Sequence, residues 1–110
     1  MRHLKVFIPL LFAVSVVLGQ DIPGPMVPQR LVNDFTGLLK EDQQNSLENK
    51  LVAFDDSTST QITVVTYDDL QGYSIAEFAS TLGTKWGIGQ SGRNNGILIL
   101  ISPANHQMTI

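Results

Sequence analysis

Five consecutive aliphatic residues, Ile97 to Ile101, form the most apolar strand-like run of the chain outside its amino-terminal segment. A run of this kind, bounded by turn residues, suits a strand buried on both faces, in the middle of a parallel or mixed sheet. The residues before it close a helix at Trp86 and cross a glycine-rich loop, Gly87 to Asn95. The rest of the chain is therefore read as material that pairs with this strand or covers it.

Gln61 to Tyr67 is the first partner. Ile62, Thr63, Val64, Val65 and Thr66 are all β-branched and favour a strand. Ser74 and Glu77 form a capping box that opens a helix, whose buried stripe is Ile75, Phe78, Ala79, Leu82 and Trp86. Strand, helix and strand from Gln61 to Ser102 make a βαβ unit, expected to be parallel and right-handed. Pro103-Ala104-Asn105 turns the chain into a strand beginning at Gln107, which is expected to return antiparallel as a hairpin. The sequence ends within that incoming strand, so the domain is expected to be truncated at its carboxyl end.

Upstream, Leu31 to Phe35 is a short apolar stretch and Thr36-Gly37 a turn. Leu47, Leu51 and Phe54 fall on one face of a helix expected over Glu41–Phe54, with Asp55 to Thr60 as polar loop. Glu41 and Asp42 suit its first turn, but Lys40 stands where a Ser or Thr cap would be expected. Residues 20–30, with Pro23, Gly24, Pro25 and Pro28, read as an extended linker. The expected fold is α/β: a three-layer α/β/α sandwich around a small mixed sheet, occupying residues 31–110.

The first 19 residues read as a signal peptide. Arg2, His3 and Lys5 precede an apolar run, Val6 to Leu18, and the cleavage site falls near Gly19. The run is shorter than the roughly 20 residues of a membrane-spanning helix; an uncleaved anchor is the alternative. Removing Arg2 and Lys5 leaves five of seven basic residues against ten acidic ones, a net charge of −5. An acidic, sparsely charged domain excludes a nucleic-acid surface. With no cysteine, disulfides and thiolate metal sites are excluded too. The expected location is extracytoplasmic, periplasmic or secreted, in a bacterial cell envelope.

Chemistry is confined to few residues. In a parallel βαβ unit ligands gather at the carboxyl ends of the strands. Asp68 and Asp69 follow the first strand of the unit and Asn105 follows the second. Asp34 leads into the helix that begins at the same pole. Asp34, Asp68, Asp69 and Asn105 together form an all-oxygen set suited to calcium or magnesium. Against this, Asp is common in turns and caps for purely local reasons. On the cation reading, Asp34→Asn is expected to weaken cation binding and leave the fold mostly intact. Arg93, among glycines at the opposite pole, matches no phosphate-loop or dinucleotide pattern, and Asn94-Asn95-Gly96 reads as a turn. His106 is the only histidine after the signal segment, and there is no nucleophile elbow.

Val32-Asn-Asp34, Gly37-Leu-Leu39, Gln61-Ile-Thr-Val-Val65, Trp86-Gly-Ile-Gly89 and Asn95-Gly-Ile-Leu-Ile99, in this order and spacing, resemble the TPM domain. The family is named for a thylakoid-lumen, a photosystem repair and a receptor-modulator protein. The resemblance covers roughly Val27 to Ile110. It implies an extracytoplasmic α/β/α domain that acts as a calcium-binding accessory module, as a weak acid phosphatase, or in maintaining membrane complexes. It also implies that Asp34 occupies a recurrent acidic position. The family's later glycine-rich and acidic segment would lie beyond Ile110. The leading expectation is thus an accessory or binding domain serving an envelope or membrane protein complex. The alternative is a metal-assisted phosphomonoesterase, which would need a positioned nucleophile or water.

Overall fold

A computed structural model describes residues 22–27, 29–88 and 96–110. The expected signal peptide and the Arg93–Asn95 part of the glycine loop lie outside the described residues. In chain order the elements are β1 (Val32–Asp34), α1 (Glu41–Thr58), β2 (Gln61–Thr66), α2 (Ile75–Trp86), β3 (Gly96–Ser102), a 3-10 turn (Pro103–Asn105) and β4 (Gln107–Thr109). The strands lie side by side in sequence order. β1 and β3 flank β2 in parallel, and β4 returns antiparallel to β3 as the expected hairpin.

The register assigns the faces. Val65 lies beside Leu100, and both pack with Phe78 and Leu82 of α2 in the core. Val32, Val64, Thr66 and Asp34 point to the opposite face, where Gln44 of α1 reaches the Asp34 carboxylate. One helix therefore covers each face, the three-layer α/β/α arrangement. Successive strands step the same way across the sheet while their helices lie on opposite faces. The two crossovers consequently have opposite hands, so one of them departs from the usual right-handed rule.

Local chemistry explains the element ends. Ser74 Oγ accepts the Glu77 N–H at 3.2 Å while Glu77 Oε1 accepts the Ser74 N–H at 3.1 Å, the expected capping box. Gly87 closes α2 with φ of +70°, a backbone region that only glycine enters cheaply. At the start of α1 the Lys40 side chain caps nothing; instead Gln43 Oε1 accepts the Lys40 N–H at 2.9 Å.

Three expectations need correction. α1 does not stop at Phe54 but runs to Thr58, ending at left-handed Ser59. Ser57 and Thr58 hydroxyls bond the Phe54 carbonyl, so these polar residues continue the helix in solvent. Its inward stripe is Gln44, Leu47, Glu48, Leu51 and Asp55, and Phe54 is 43% exposed. β3 is not buried on both faces. Leu100 is fully buried under α2, but Ile97 is 38% exposed and Ile99 and Ile101 are half-buried, because α1 covers only β1 and β2. Finally, the segment read as linker joins the core. Ile22 is buried against Val65, Phe78, Leu82 and Leu100, and its carbonyl accepts the Lys85 ammonium. The Pro23 carbonyl accepts Trp86 Nε1–H at 2.8 Å.

Candidate functional site

Parallel strands end at a common pole, and all four expected site residues lie there. Asp34 is the last residue of β1, Asp68 and Asp69 follow β2, and Asn105 closes the 3-10 turn after β3. The pole divides into two parts with different chemistry.

Around Asp34 the carboxylate is already saturated. Oδ1 accepts Thr66 Oγ1–H at 2.5 Å and the Leu38 N–H at 3.0 Å. Oδ2 accepts the Leu39 N–H at 2.7 Å and Gln44 Nε2–H at 3.2 Å. Thr36 adds a longer hydroxyl contact at 3.4 Å. Thr66 sits beside Asp34 in register, and Gly37, with φ of +72°, bends the loop so that its next two N–H groups face back onto the acid. Burial alone would raise the Asp34 pKa. The bonds from Thr66, Leu39, Leu38 and Thr36 outweigh it and hold the carboxyl below its ordinary value. Asp34 is thus an ionised anchor for the β1–α1 connection.

Around Asp68 the oxygens are more open. Asp68 Oδ1 accepts the Ala104 N–H at 2.9 Å, and Asn105 Nδ2 donates to the Asp68 carbonyl at 2.9 Å and to Ser102 Oγ at 2.8 Å. Ser102 Oγ also reaches the Asp68 carbonyl at 3.3 Å. These bonds lock the loop after β2 to the turn after β3 and aim the Asn105 side chain. Asp69 Oδ1 accepts the Gln71 N–H at 2.9 Å in an adjoining turn. Asp68, Asp69 and Asn105 are all exposed residues.

The structure therefore brings Asp68 and Asn105 into direct contact, places Asp69 next to them, and commits Asp34 to its own loop. Among the described residues, no three acids, histidines or cysteines lie close enough to form a metal-holding group. The donor set is two carboxylates and an amide. This suits a loosely held calcium or magnesium ion completed by water and does not suit a transition metal. Thr36, Thr66 and Ser102 are the hydroxyls bonded into this pole. Sequence reasoning missed them because an isolated Thr or Ser carries no spacing signal.

Fold and site together define a small α/β/α domain with a polar, acid-bearing face at the carboxyl ends of its parallel strands. The TPM domain model matches residues 32–110, most of the chain, and the protein belongs to the TPM domain family. No curated protein matches it. Among the described residues no helix is long and apolar enough to cross a membrane.

Proposed function

We propose that this TPM domain is an extracytoplasmic accessory domain that docks on an envelope or membrane protein complex and binds calcium or magnesium at its carboxyl pole. The observation that carries the reading is the pair of loops locked together through Asp68 and Asn105, with Asp69 beside them and all three residues exposed. In this reading Asp68 and Asp69 supply the charge and Asn105 an oriented oxygen. Asp34 holds the adjoining loop in place. The basic, apolar amino-terminal segment supports the extracytoplasmic address.

The phosphomonoesterase alternative asks more of the same pole. It needs a nucleophile or an activating base beside the cation. Thr36 and Thr66 are hydrogen-bonded to each other and to Asp34, and Ser102 is bonded to Asp68 and Asn105. Binding is therefore the better supported function.

Thermal unfolding in rising calcium or magnesium tests it. A ligand that binds only the folded state raises the midpoint as its concentration passes Kd. The expected result is a midpoint that climbs through the millimolar range and stops climbing in Asp68→Asn. A flat response to both ions would remove the cation, and a phosphatase assay with and without added ion then decides the alternative.

A further inference from the structure

The segment before β1 has features that the carboxyl-pole reading does not use. The family match begins at residue 32. Ile22, well upstream of it, is nevertheless buried and fills a seat among Val65, Phe78, Leu82 and Leu100. The hold on this segment is narrow. The Ile22 carbonyl accepts the Lys85 ammonium, and the Pro23 carbonyl accepts Trp86 Nε1–H at 2.8 Å. Among the described residues, no main-chain hydrogen bond joins residues 22–27 to the rest of the domain. Beyond Pro23 the chain lifts away: a Cβ on Gly24 would meet nothing within 4 Å, and Val27 is 95% exposed.

Ile22 and Pro23 are therefore held as a short peptide is held, by one buried aliphatic anchor and by side chains that reach its carbonyls. The wall beside them has matching chemistry. Proline-bearing segments are already extended when free, so they lose little entropy on docking, and aromatic grooves receive them. Here Trp86 packs edge-on to Phe35 with ring centroids 6.4 Å apart, and Phe35 meets Tyr67 at 5.7 Å. Phe35 is itself an exposed residue, so this aromatic wall is not fully covered by the segment that lies on it.

We propose that the groove is a docking site for an extended segment of a partner protein in which an aliphatic residue precedes proline, and that the chain's own Ile22-Pro23 is an internal ligand that closes it. The strap contributes no sheet or helix hydrogen bond, so it opens as a local unit while the sheet stays folded. The partner's aliphatic side chain then takes the Ile22 seat, and its carbonyls take Lys85 and Trp86. The seat fixes the class of occupant. A hydrocarbon pocket rejects a charged anchor, and donors placed on two successive carbonyls require an extended main chain. The proposal rests on the docking part of the proposed function but uses none of the residues of the cation site, so either can fail without the other.

Trp86 is the sole tryptophan, so its fluorescence and its single indole N–H resonance both report on the groove. The full chain carrying Ile22→Ala, verified as folded by circular dichroism, is titrated with the capped peptide acetyl-Ile-Pro-Gly-Pro-amide. A parallel titration uses acetyl-Asp-Pro-Gly-Pro-amide. The expected result is saturable change with the isoleucine peptide below about 10 mM, and binding about tenfold or more weaker for the aspartate peptide. The native chain should also bind the isoleucine peptide about tenfold or more weakly, because its own strap keeps most molecules closed. In the native chain, hydrogen exchange at Trp86 Nε1 should run about 100-fold or more faster than at the amides of Val65 and Leu100. No saturable change in the folded variant, equal binding of the two peptides, or Trp86 Nε1–H exchanging no faster than those core amides would each overturn the proposal. If Ile22→Ala does not fold, the comparison of the two peptides and the exchange measurement, both on the native chain, decide.

Discussion

Replacing Asp34 by alanine removes the acceptor for two backbone N–H groups, the Thr66 hydroxyl and the Gln44 amide at once. Each donor left without a partner costs about 1–3 kcal/mol when buried, and less where water can reach it. Thr66 is fully buried, whereas the donors at Leu38, Leu39 and Gln44 are only partly so. The combined loss is therefore set at about 3 kcal/mol, nearer the sum of one full and several discounted penalties. For a domain of this size 1 kcal/mol moves the midpoint by roughly 4–8 °C, so Asp34→Ala should melt about 12–24 °C lower near neutral pH. Asp34→Asn keeps the shape but turns one acceptor into a donor facing other donors, and should lose about 2 kcal/mol. The pH dependence has a definite sign. The folded pKa of Asp34 lies below its ordinary value of 3.8, so its contribution is complete above that value and is lost as pH falls through the lowered one. The gap between wild type and Asp34→Asn should accordingly be widest near neutrality and close in acid. Differential scanning calorimetry across pH measures both effects. A midpoint for Asp34→Ala within about 2 °C of wild type would refute the anchoring role. It would restore the simpler expectation that this acid is a free ligand.

Three further outcomes follow from the same reasoning. Leu82→Ala empties a fully buried position beneath the sheet and should cost about 2–5 kcal/mol, read as a lower urea midpoint with an unchanged slope. Ser74→Ala removes the acceptor of the Glu77 N–H and should lower stability by about 1 kcal/mol, measurable by the same unfolding curves. Glu48→Ala releases the two N–H groups at the start of β1 and should raise amide hydrogen exchange at Leu31 and Val32 well before the core strands exchange. Unchanged protection there would show that Glu48 does not hold that edge.

Much of this architecture was legible because it follows from strong local signals. β-branched residues 62–66, the Ser74 capping box and the Phe78–Leu82 spacing each imply one element, and together they imply the βαβ unit. The carboxyl pole followed from topology alone, since parallel strands must end together. What escaped the sequence depends on contacts between distant residues. Ile22 reads as linker because its neighbours are prolines and glycine, yet one apolar side chain suffices to seat it in the core. Spacing alone points Phe54 inward, yet it is exposed, while Glu48, a charged residue, faces inward to satisfy β1. The two roles of the acids are the clearest case. Asp34 and Asp68 are indistinguishable as strand-ending carboxylates in the sequence. Only the fold shows that Gly37 and Thr66 surround the first with donors, while the second keeps an exposed face.

The most direct test of the central claim is a nitrogen-15 correlation spectrum of the folded domain recorded through a calcium titration, repeated with magnesium. The account predicts saturable shifts confined to the amides of Asp68, Asp69, Ala104 and Asn105, with those of Leu38 and Leu39 nearly still because Asp34 keeps its own donors. Shifts centred on Leu38 and Leu39, or no saturable shift at millimolar ion, would contradict it.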